Sequence, residues 1–528
     1  MDIIDTSFYT EYDLADVTAS EDATITYENF DTVAADDGSF TSNPKATITF
    51  TKSHSSIGFT IKFSNTHPTA CKVTWYNLGG ESMTSDTFTI SSLIQFINKA
   101  VDNYGKIVIE FTKGTAGNAV SIRDIEYGIT KSWDENVIGS GTLVEQQSMI
   151  SDQLPINTLD FEVLDEDGEF NLGNENGAHQ FIQPLQVIRP YEYIRGKKHY
   201  LGKYFLDTYS CDQNIIKFSA VNYMGVLDKI TYYKGDIYNG TKASVLIDSI
   251  MKTAGITDYS VDSETADTPL YGALKPMTCR EALREVLFAC QSVVNVSRND
   301  KIEIYKRTNT VLRTIDKSVK ISTKATKKEY ISGVEIKYNE YTPDSQSSSI
   351  LTGSYDAGDN LITFSSPYSE ITTTAGAIKE SGKFYCILTL PSTTTITLSG
   401  KQYKSTSFSV TYNTTLPESG EPINIKSLSS ELANHTLAYK IATDVMDYYN
   451  YRLQIDIQFL ADTEDITKWY EIENPEDNYN NYLAGFESIS TDLTNGFVST
   501  ATMSGYYNYK FSRYYAGEEL FGDDNFIL

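Results

Sequence analysis

Histidine and cysteine are scarce in this 528-residue chain, five of each, and they are scattered. His54, His67, His179, His199 and His435 stand far apart, and no two of Cys71, Cys211, Cys279, Cys290 and Cys386 form a CxxC pair. That spacing excludes a zinc ribbon, and an odd, dispersed set of thiols reads as reduced and partly buried, not as a disulfide framework. No GxSxG elbow, HExxH, P-loop or GxGxxG after a strand occurs, so the common hydrolase and nucleotide-binding signatures are missing. No apolar run approaches the roughly 18 residues of a membrane span. Basic residues are outnumbered, 43 against 70 acidic, for a net charge of −27. With no basic block either, general phosphate binding is disfavoured. The acidic start, Met1 to Asp5, lacks the basic-then-apolar order of a secretory leader, so synthesis in a cytoplasm is expected. Carboxylate pairs abound simply because acids are abundant, and choosing two as a glycosidase pair needs their separation in space. The chain is therefore expected to be non-enzymatic, with no catalytic, cofactor-binding or metal-binding residues.

What is plentiful is tyrosine, 38 residues, in a background of Thr and Ser. That mixture suits pleated, half-buried surfaces. The expected class is mainly β and multidomain: a β-sandwich, then barrel-like β domains with a small α+β element and one long helix. Residues 1–130 alternate in short runs such as Ala46-Thr47-Ile48-Thr49-Phe50 and Lys72-Val73-Thr74-Trp75-Tyr76, the pattern of a sandwich. Residues 131–239 read as a small barrel, with 159–164 a strand, 186–190 pairing 201–206 across Arg195-Gly196-Lys197-Lys198, and 215–221 closing the unit. In residues 240–310 the period changes. Ile247, Ile250 and Met251 share one helical face, and Thr278-Cys279-Arg280-Glu281 is a capping box opening a helix with Ala282, Leu283, Val286, Leu287 and Cys290 inward. Strands at 293–297 and 302–305 follow, joined by the charged turn Arg298-Asn299-Asp300-Lys301. Residues 311–528 return to strands, with a Ser/Thr-rich β layer inserted at 345–425. A helix at 430–450 turns Leu432, Leu437, Ile441, Val445 and Tyr448 inward, and an aromatic, acidic tail begins at Tyr506. No period of 20–50 residues repeats, which excludes a solenoid.

Two local features invite a ligand. Asp165-Glu166-Asp167-Gly168-Glu169 starts like an oxygen-ligand calcium loop, but it lacks the alternate ligands and closing Glu of an EF-hand and reads as a hairpin turn. Trp75 and Tyr76 are the candidate glycan contacts. As neighbours on a strand they face opposite sides, so one belongs to the core and only the other is available as a sugar-stacking platform.

Two stretches carry a resemblance. The segments 58–63, Val73-Thr74-Trp75-Tyr76, Tyr104 to Phe111 and Ile122 to Gly128 resemble discoidin-like or carbohydrate-binding sandwiches, modules that occur in tail proteins of phages and prophages of low-GC Gram-positive bacteria. Residues 151–310 resemble the hub-type β domains of phage tail baseplates and tail tips, through Leu154 to Phe161, Tyr200 to Leu206, Phe218 to Asn222, and Arg280 to Val286 leading to Ile302-Glu303-Ile304-Tyr305. The resemblance implies a structural component of the virion tail, assembled in a bacterial cytoplasm with other tail proteins. It also implies a homo-oligomer, a trimer at many such hubs, that encloses or caps the tail channel. An acidic surface suits that conduit, because like charge keeps passing phosphates from sticking. The 345–425 insert belongs to neither pattern. The competing reading is a receptor-binding protein or adhesin that holds host surface glycan through the N-terminal sandwich. A wall-degrading hydrolase has no residues to rest on. Residues 1–130 are expected to fold alone, and a chain starting near Ser132 is expected to assemble without them.

Overall fold

The computed structural model describes residues 6–13, 23–127, 130–133, 136–165, 168, 170–171, 173–174, 182, 184–194, 197–413, 423–474 and 481–508. Strand β1 (Thr6–Asp13) does not join the strands that follow it. β2 (Ala23–Glu28), β3 (Lys45–Phe63), β4 (Ala70–Tyr76), β5 (Ser82–Thr89), β6 (Ile94–Lys113) and β7 (Ile122–Tyr127) form a separate sheet, in order β2-β3-β6-β4-β5 with β7 on β3. The alternation read from sequence places Ile48, Phe59, Ile61, Val73, Trp75, Ile107 and Phe111 in its core. Register breaks between Thr49 and Gly58 let the long strands β3 and β6 bend over that core. Gly58, at φ +156°, is required there, because a Cβ would lie 2.1 Å from the Ile97 carbonyl oxygen.

β1 instead pairs with β8 (Thr130–Trp133) and with β11, introduced below, so it belongs to the main sheet. The expected boundary at 1–130 is corrected accordingly. Asp13 lies opposite Thr130, so the whole β2–β7 module occupies the turn of a β1–β8 hairpin. Sequence alternation in β1 resembles its neighbours', and only pairing separates it from them.

The main sheet continues through β9 (Ile138–Gln146), β10 (Thr158–Leu164), β11 (Val187–Ile194), β12 (Lys197–Tyr200), β13 (Tyr204–Asp212) and β14 (Ile215–Val221). β11 pairs with β12, and beyond it Val187 and Ile188 meet Phe205 and Tyr204. Phe161, Phe218, Trp133, Ile188 and Leu206 fill the core behind this half-barrel.

An α/β unit follows: α1 (Tyr223–Asp228), β15 (Thr231–Tyr232), β16 (Ile237–Lys242), α2 (Ala243–Thr253), β17 (Tyr259–Val261), α3 (Ser263–Ala266), β18 (Pro269–Ala273), β19 (Met277–Thr278), α4 (Cys279–Cys290), β20 (Ser292–Asn295) and β21 (Ile302–Lys306). Thr278 caps α4 by accepting from the Glu281 N–H at 3.2 Å. Ala282, Leu283, Val286 and Leu287 are fully buried, as their 3.6-residue spacing requires.

β22 (Val311–Ile315) and β23 (Lys320–Lys327) begin the second half-barrel. β24 (Gly333–Tyr355) then leaves it as one arm of a long ribbon, whose tip carries β25 (Gly358–Thr363), β26 (Tyr368–Thr373), β27 (Ala377–Ser381) and β28 (Tyr385–Leu390). β29 (Thr394–Asn413) returns, and β30 (Ile425–Ser429) runs parallel to the base of β24. The inserted layer has its own small core of Ile362, Phe364, Cys386, Leu388, Leu390, Ile396 and Leu398. Helix α5 (His435–Tyr449) lies on the ribbon's base and shares the core of the α/β unit, through Leu437, Ile441 and Val445. β31 (Leu453–Leu460), β32 (Trp469–Ile472), β33 (Asn481–Asp492) and β34 (Val498–Asn508) complete the chain's described strands.

One sheet of 14 strands joins the two halves, in order β23-β31-β34-β33-β9-β10-β14-β13-β11-β1-β8, with β12, β22 and β32 off that path. The expected division between 131–239 and 311–528 thus runs through a continuous sheet: β33 pairs with β9, Ser488 opposite Gln146 and Asp492 opposite Thr142. The protein is mainly β and multidomain, built of curled half-barrels.

Three outcomes are expected. Replacing residues 14–129 with a two-residue Asn-Gly turn should leave the barrels folded, since β1 and β8 are already hairpin partners. A chain beginning at Ser132 should lose cooperative melting, because it bares the β11 edge; full-length melting behaviour in that truncation would refute the pairing. Leu287→Ala, which opens a cavity at a fully buried site, should lower unfolding free energy by about 2–5 kcal/mol in urea titrations.

Candidate functional site

Strand alternation gives the joined sheet two opposite faces. Leu143, Leu159, Phe161, Ile216, Phe218, Ile457, Ile489 and Ala501 point into the two cores. Their neighbours face the other way: Ser140 and Thr142 on β9, Asp160 and Glu162 on β10, Lys217 and Ser219 on β14, Thr208 and Ser210 on β13. On the second half-barrel the same face carries Ser488 and Ser490, Thr500 and Thr502, Asp456 and Gln458, and Ser322 and Lys324. Cross-strand registers make these into unbroken polar rows. Lys324 lies opposite Asp456, Asp456 opposite Thr502, and Thr502 opposite Ser488. Farther along, Asp492 opposes Thr142, Thr142 opposes Asp160, and Asp160 opposes Ser219.

The face is hollowed twice. One open depression of about 540 Å³ lies over β23, β31, β34, β33 and β9, and another of about 420 Å³ over β9, β10, β14 and β13. Hydroxyls line both, joined by the amides of Gln146 and Gln458 in the first and by Asp160, Glu162 and Lys217 in the second. Asp160, Glu162, Asp456 and Asp492 outnumber Lys217 and Lys324, so the face carries net negative charge. Lys217 Nζ sits 2.6 Å from Glu162, and this contact lowers the Glu162 carboxyl below its ordinary range and raises the lysine.

Beneath this sheet lies a buried charge cluster. The β20–β21 turn docks on the first half-barrel: the Arg298 N–H donates to the Leu201 carbonyl at 3.3 Å, and Ser297 bridges Gly202. Gly202 has φ +122°, and a Cβ there would sit 3.3 Å from the Arg298 nitrogen. Arg298 itself adopts φ +54°, a left-handed conformation held by what surrounds it. Its Nη1 donates to Glu192 on β11 at 3.0 Å, its Nη2 lies 3.9 Å from Glu145 on β9, and its Nε donates to the Glu464 carbonyl at 2.6 Å. Ser297 Oγ donates to Glu145, and Arg313 on β22 pairs with the Glu464 carboxylate. Glu145, Glu192 and Glu464 are each 1% exposed. Burial pushes the Glu192 carboxyl up to about 7 even though Arg298 pulls it down, and burial raises Glu145 likewise. Burial works against the charge on Arg298, but Glu145, Glu192 and Glu464 more than offset it and raise the guanidinium above its ordinary value.

No family model matches the chain, and no curated protein does either. Solved structures do align with it. The tail protein from Neisseria meningitidis MC58 aligns at TM-score 0.43 and 8% identity, over 71% of this chain and 93% of that one. The 43 kDa tail protein of prophage MuSo2 from Shewanella oneidensis aligns at TM-score 0.41 and 10% identity, over 71% and 95%. Prophage tail protein gp18 from Listeria monocytogenes EGD-e gives 0.39 and 8%, over 71% and 91%.

The residues singled out from sequence lie apart from both features. Trp75 is wholly buried against Phe59 and Phe88, so it is a core residue and is corrected as a glycan contact. Tyr76 is half-buried, with Lys106 Nζ 4.1 Å from its ring centroid. Asp165 accepts from the Phe170 N–H at 2.9 Å and so is tied into its own turn, while Glu166, Asp167 and Glu169 lie outside the described residues. Arg195, Gly196 and the tail from Tyr509 onward also lie outside them. All five cysteines are free thiols. Among the described residues, no group of three His, Cys, Asp or Glu is placed to hold a metal ion. No described helix is long and apolar enough to cross a membrane. The sequence shows Arg298 only as part of a charged turn and gives no sign of Glu145, Glu192 and Glu464, since nothing in their neighbours' pattern marks them.

Removing the guanidinium strands buried carboxylates. Arg298→Ala should therefore cost about 3–5 kcal/mol of stability by chemical denaturation, and a loss under about 1 kcal/mol would show the cluster to be solvated.

Proposed function

We propose that this chain is a structural component of a phage-type tail, a tail-tip or baseplate protein that acts by assembly and not by catalysis. The observation that carries this reading is the mostly polar, net-acidic surface that the two half-barrels share across the β33–β9 junction, where Val144 is an apolar member of it. A face of hydroxyls, amides and carboxylates exchanges hydrogen bonds with water easily and repels phosphate, which suits the wall of a conduit through which DNA passes. Among the described residues the sheet ends at β23 and at β8, and on this reading several copies together enclose the channel. That arrangement agrees with the homo-oligomer, a trimer among the hub-type proteins the sequence resembles, and with other tail proteins as partners. The inserted β2–β7 module, hung on a hairpin turn, is peripheral to this scaffold and is where contact with a host surface would occur. The adhesin reading keeps Tyr76, the half-buried member of the Trp75–Tyr76 pair.

The test is to cancel the negative charge of the face. Particles carrying Thr142→Lys and Ser490→Lys should assemble tails of normal length but release DNA more slowly. Failure to assemble would show the face packed against a partner, and unchanged release would show that it does not meet the DNA. Either result refutes the conduit reading. Particles in which a short turn replaces residues 14–129 should keep their tails; loss of adsorption alone would shift host binding to the β2–β7 module.

A further inference from the structure

The buried cluster has one more negative charge than it can balance. Glu145, Glu192 and Glu464 face Arg298 and Arg313, three carboxylates against two guanidiniums, in a volume where each carboxylate is 1% exposed. They come from β9, β11, the β20–β21 turn, the loop between β31 and β32, and β22, so the cluster ties the hairpin to both half-barrels. An uncompensated charge in such a place is expensive, and taking up a proton is the usual relief.

We propose that this junction is a one-proton latch: a proton held among Glu145, Glu192 and Glu464 keeps the β20–β21 hairpin clamped between the half-barrels, and its loss loosens the clamp.

The groups around the cluster do not relieve that excess. Tyr204 on β13 faces Glu145 and Arg298, and Tyr470 on β32 faces Glu464; burial raises both phenols, which keeps them neutral. Asp465 adds negative charge beside Glu145, and its carboxylate accepts from the Thr467 N–H at 2.8 Å and from its hydroxyl at 2.6 Å. The Asp462 N–H donates to Glu464 at 2.7 Å, while the Asp462 side chain is half-exposed. On the far side of the turn, Asp300 accepts from the Tyr200 hydroxyl, with Arg189 of β11 nearby. Lys301 pairs with Glu303 at 3.1 Å on the surface. None of these supplies a buried cation to the three glutamates.

The direction in pH follows from Glu192. Its folded pKa of about 7 lies above its ordinary 4.5, so the folded protein binds a proton that the unfolded chain has released. The stabilisation is complete below pH 4.5 and is lost as pH rises through about 7. The latch therefore holds in mild acid and slackens above neutrality.

Hydrogen exchange on the full chain at pH 6 and pH 8, with rates corrected for chemical exchange, tests this. Amides of residues 296–301 and 462–467 should open more at pH 8, while those of β10 and β14 should not respond. Glu192→Gln should remove the pH response by supplying a permanently neutral group, and Glu145→Gln serves as the second variant. Equal opening of the wild-type junction at both pH values overturns the proposal, and so does a pH response that survives in both variants. Should neither variant fold, the wild-type comparison decides alone. Because none of these readouts involves a tail, they can fail while the assembly reading stands.

Discussion

A guanidinium surrounded by buried carboxylates is a demanding contact, because every partner must be present or the others are left charged in a dry place. Arg298 is held in this way by Glu145, Glu192 and the Glu464 carbonyl, which come from parts of the chain far apart in sequence. Hydrophobic packing alone would let the α/β unit slide on the barrels, since apolar surfaces are not directional. The charged contact fixes one arrangement, and the left-handed backbone at Arg298 is tolerated because those surroundings hold it. The 14-stranded sheet supplies continuity between the half-barrels, and the cluster beneath it supplies register.

That scaffold explains how the rest of the chain is attached. Both additional modules leave through paired strands: β2–β7 from the turn of the β1–β8 hairpin, and β25–β28 from the tip of the β24–β29 ribbon. Each has its own apolar core, so neither needs the barrels to bury its side chains. Insertion at a hairpin disturbs little, because the flanking strands already lie side by side and the ladder hydrogen bonds on either side stay made. The polar face is left uncovered by either module's core. A molecule built this way can vary its periphery while the surface proposed to line a conduit stays constant in shape.

Local structure was legible because it depends on local rules. The face of α2 with Ile247, Ile250 and Met251, the Thr278 cap of α4, and the helix that turns Leu437, Ile441 and Val445 inward all follow from a 3.6-residue period and one side-chain oxygen. The strand alternation that placed Phe161 and Phe218 in one core and Ile457 in another follows from a period of two. The same alternation hid the topology: β1 reads like β2 or β3, yet its partners are β8 and β11. Trp75 and Tyr76 show the limit in miniature, since the sequence said that one faces inward and the fold chose Trp75.

By itself, then, the sequence determined the mainly β class, the positions of most strands and of the longer helices, the inward residue of each pair, and the acidic balance that argues against general phosphate binding. Only the tertiary structure decided that β9 joins β33, that the N-terminal module is an insertion, and that Arg298 of a charged turn reaches three buried glutamates. The reason is physical. Periodicity reports which way a side chain points from its own backbone, a matter of a few neighbouring residues. Strand partners and the neighbours of Arg298 are set by closures across more than a hundred residues, where many pairings satisfy the same alternation and the choice falls to the packing of the whole.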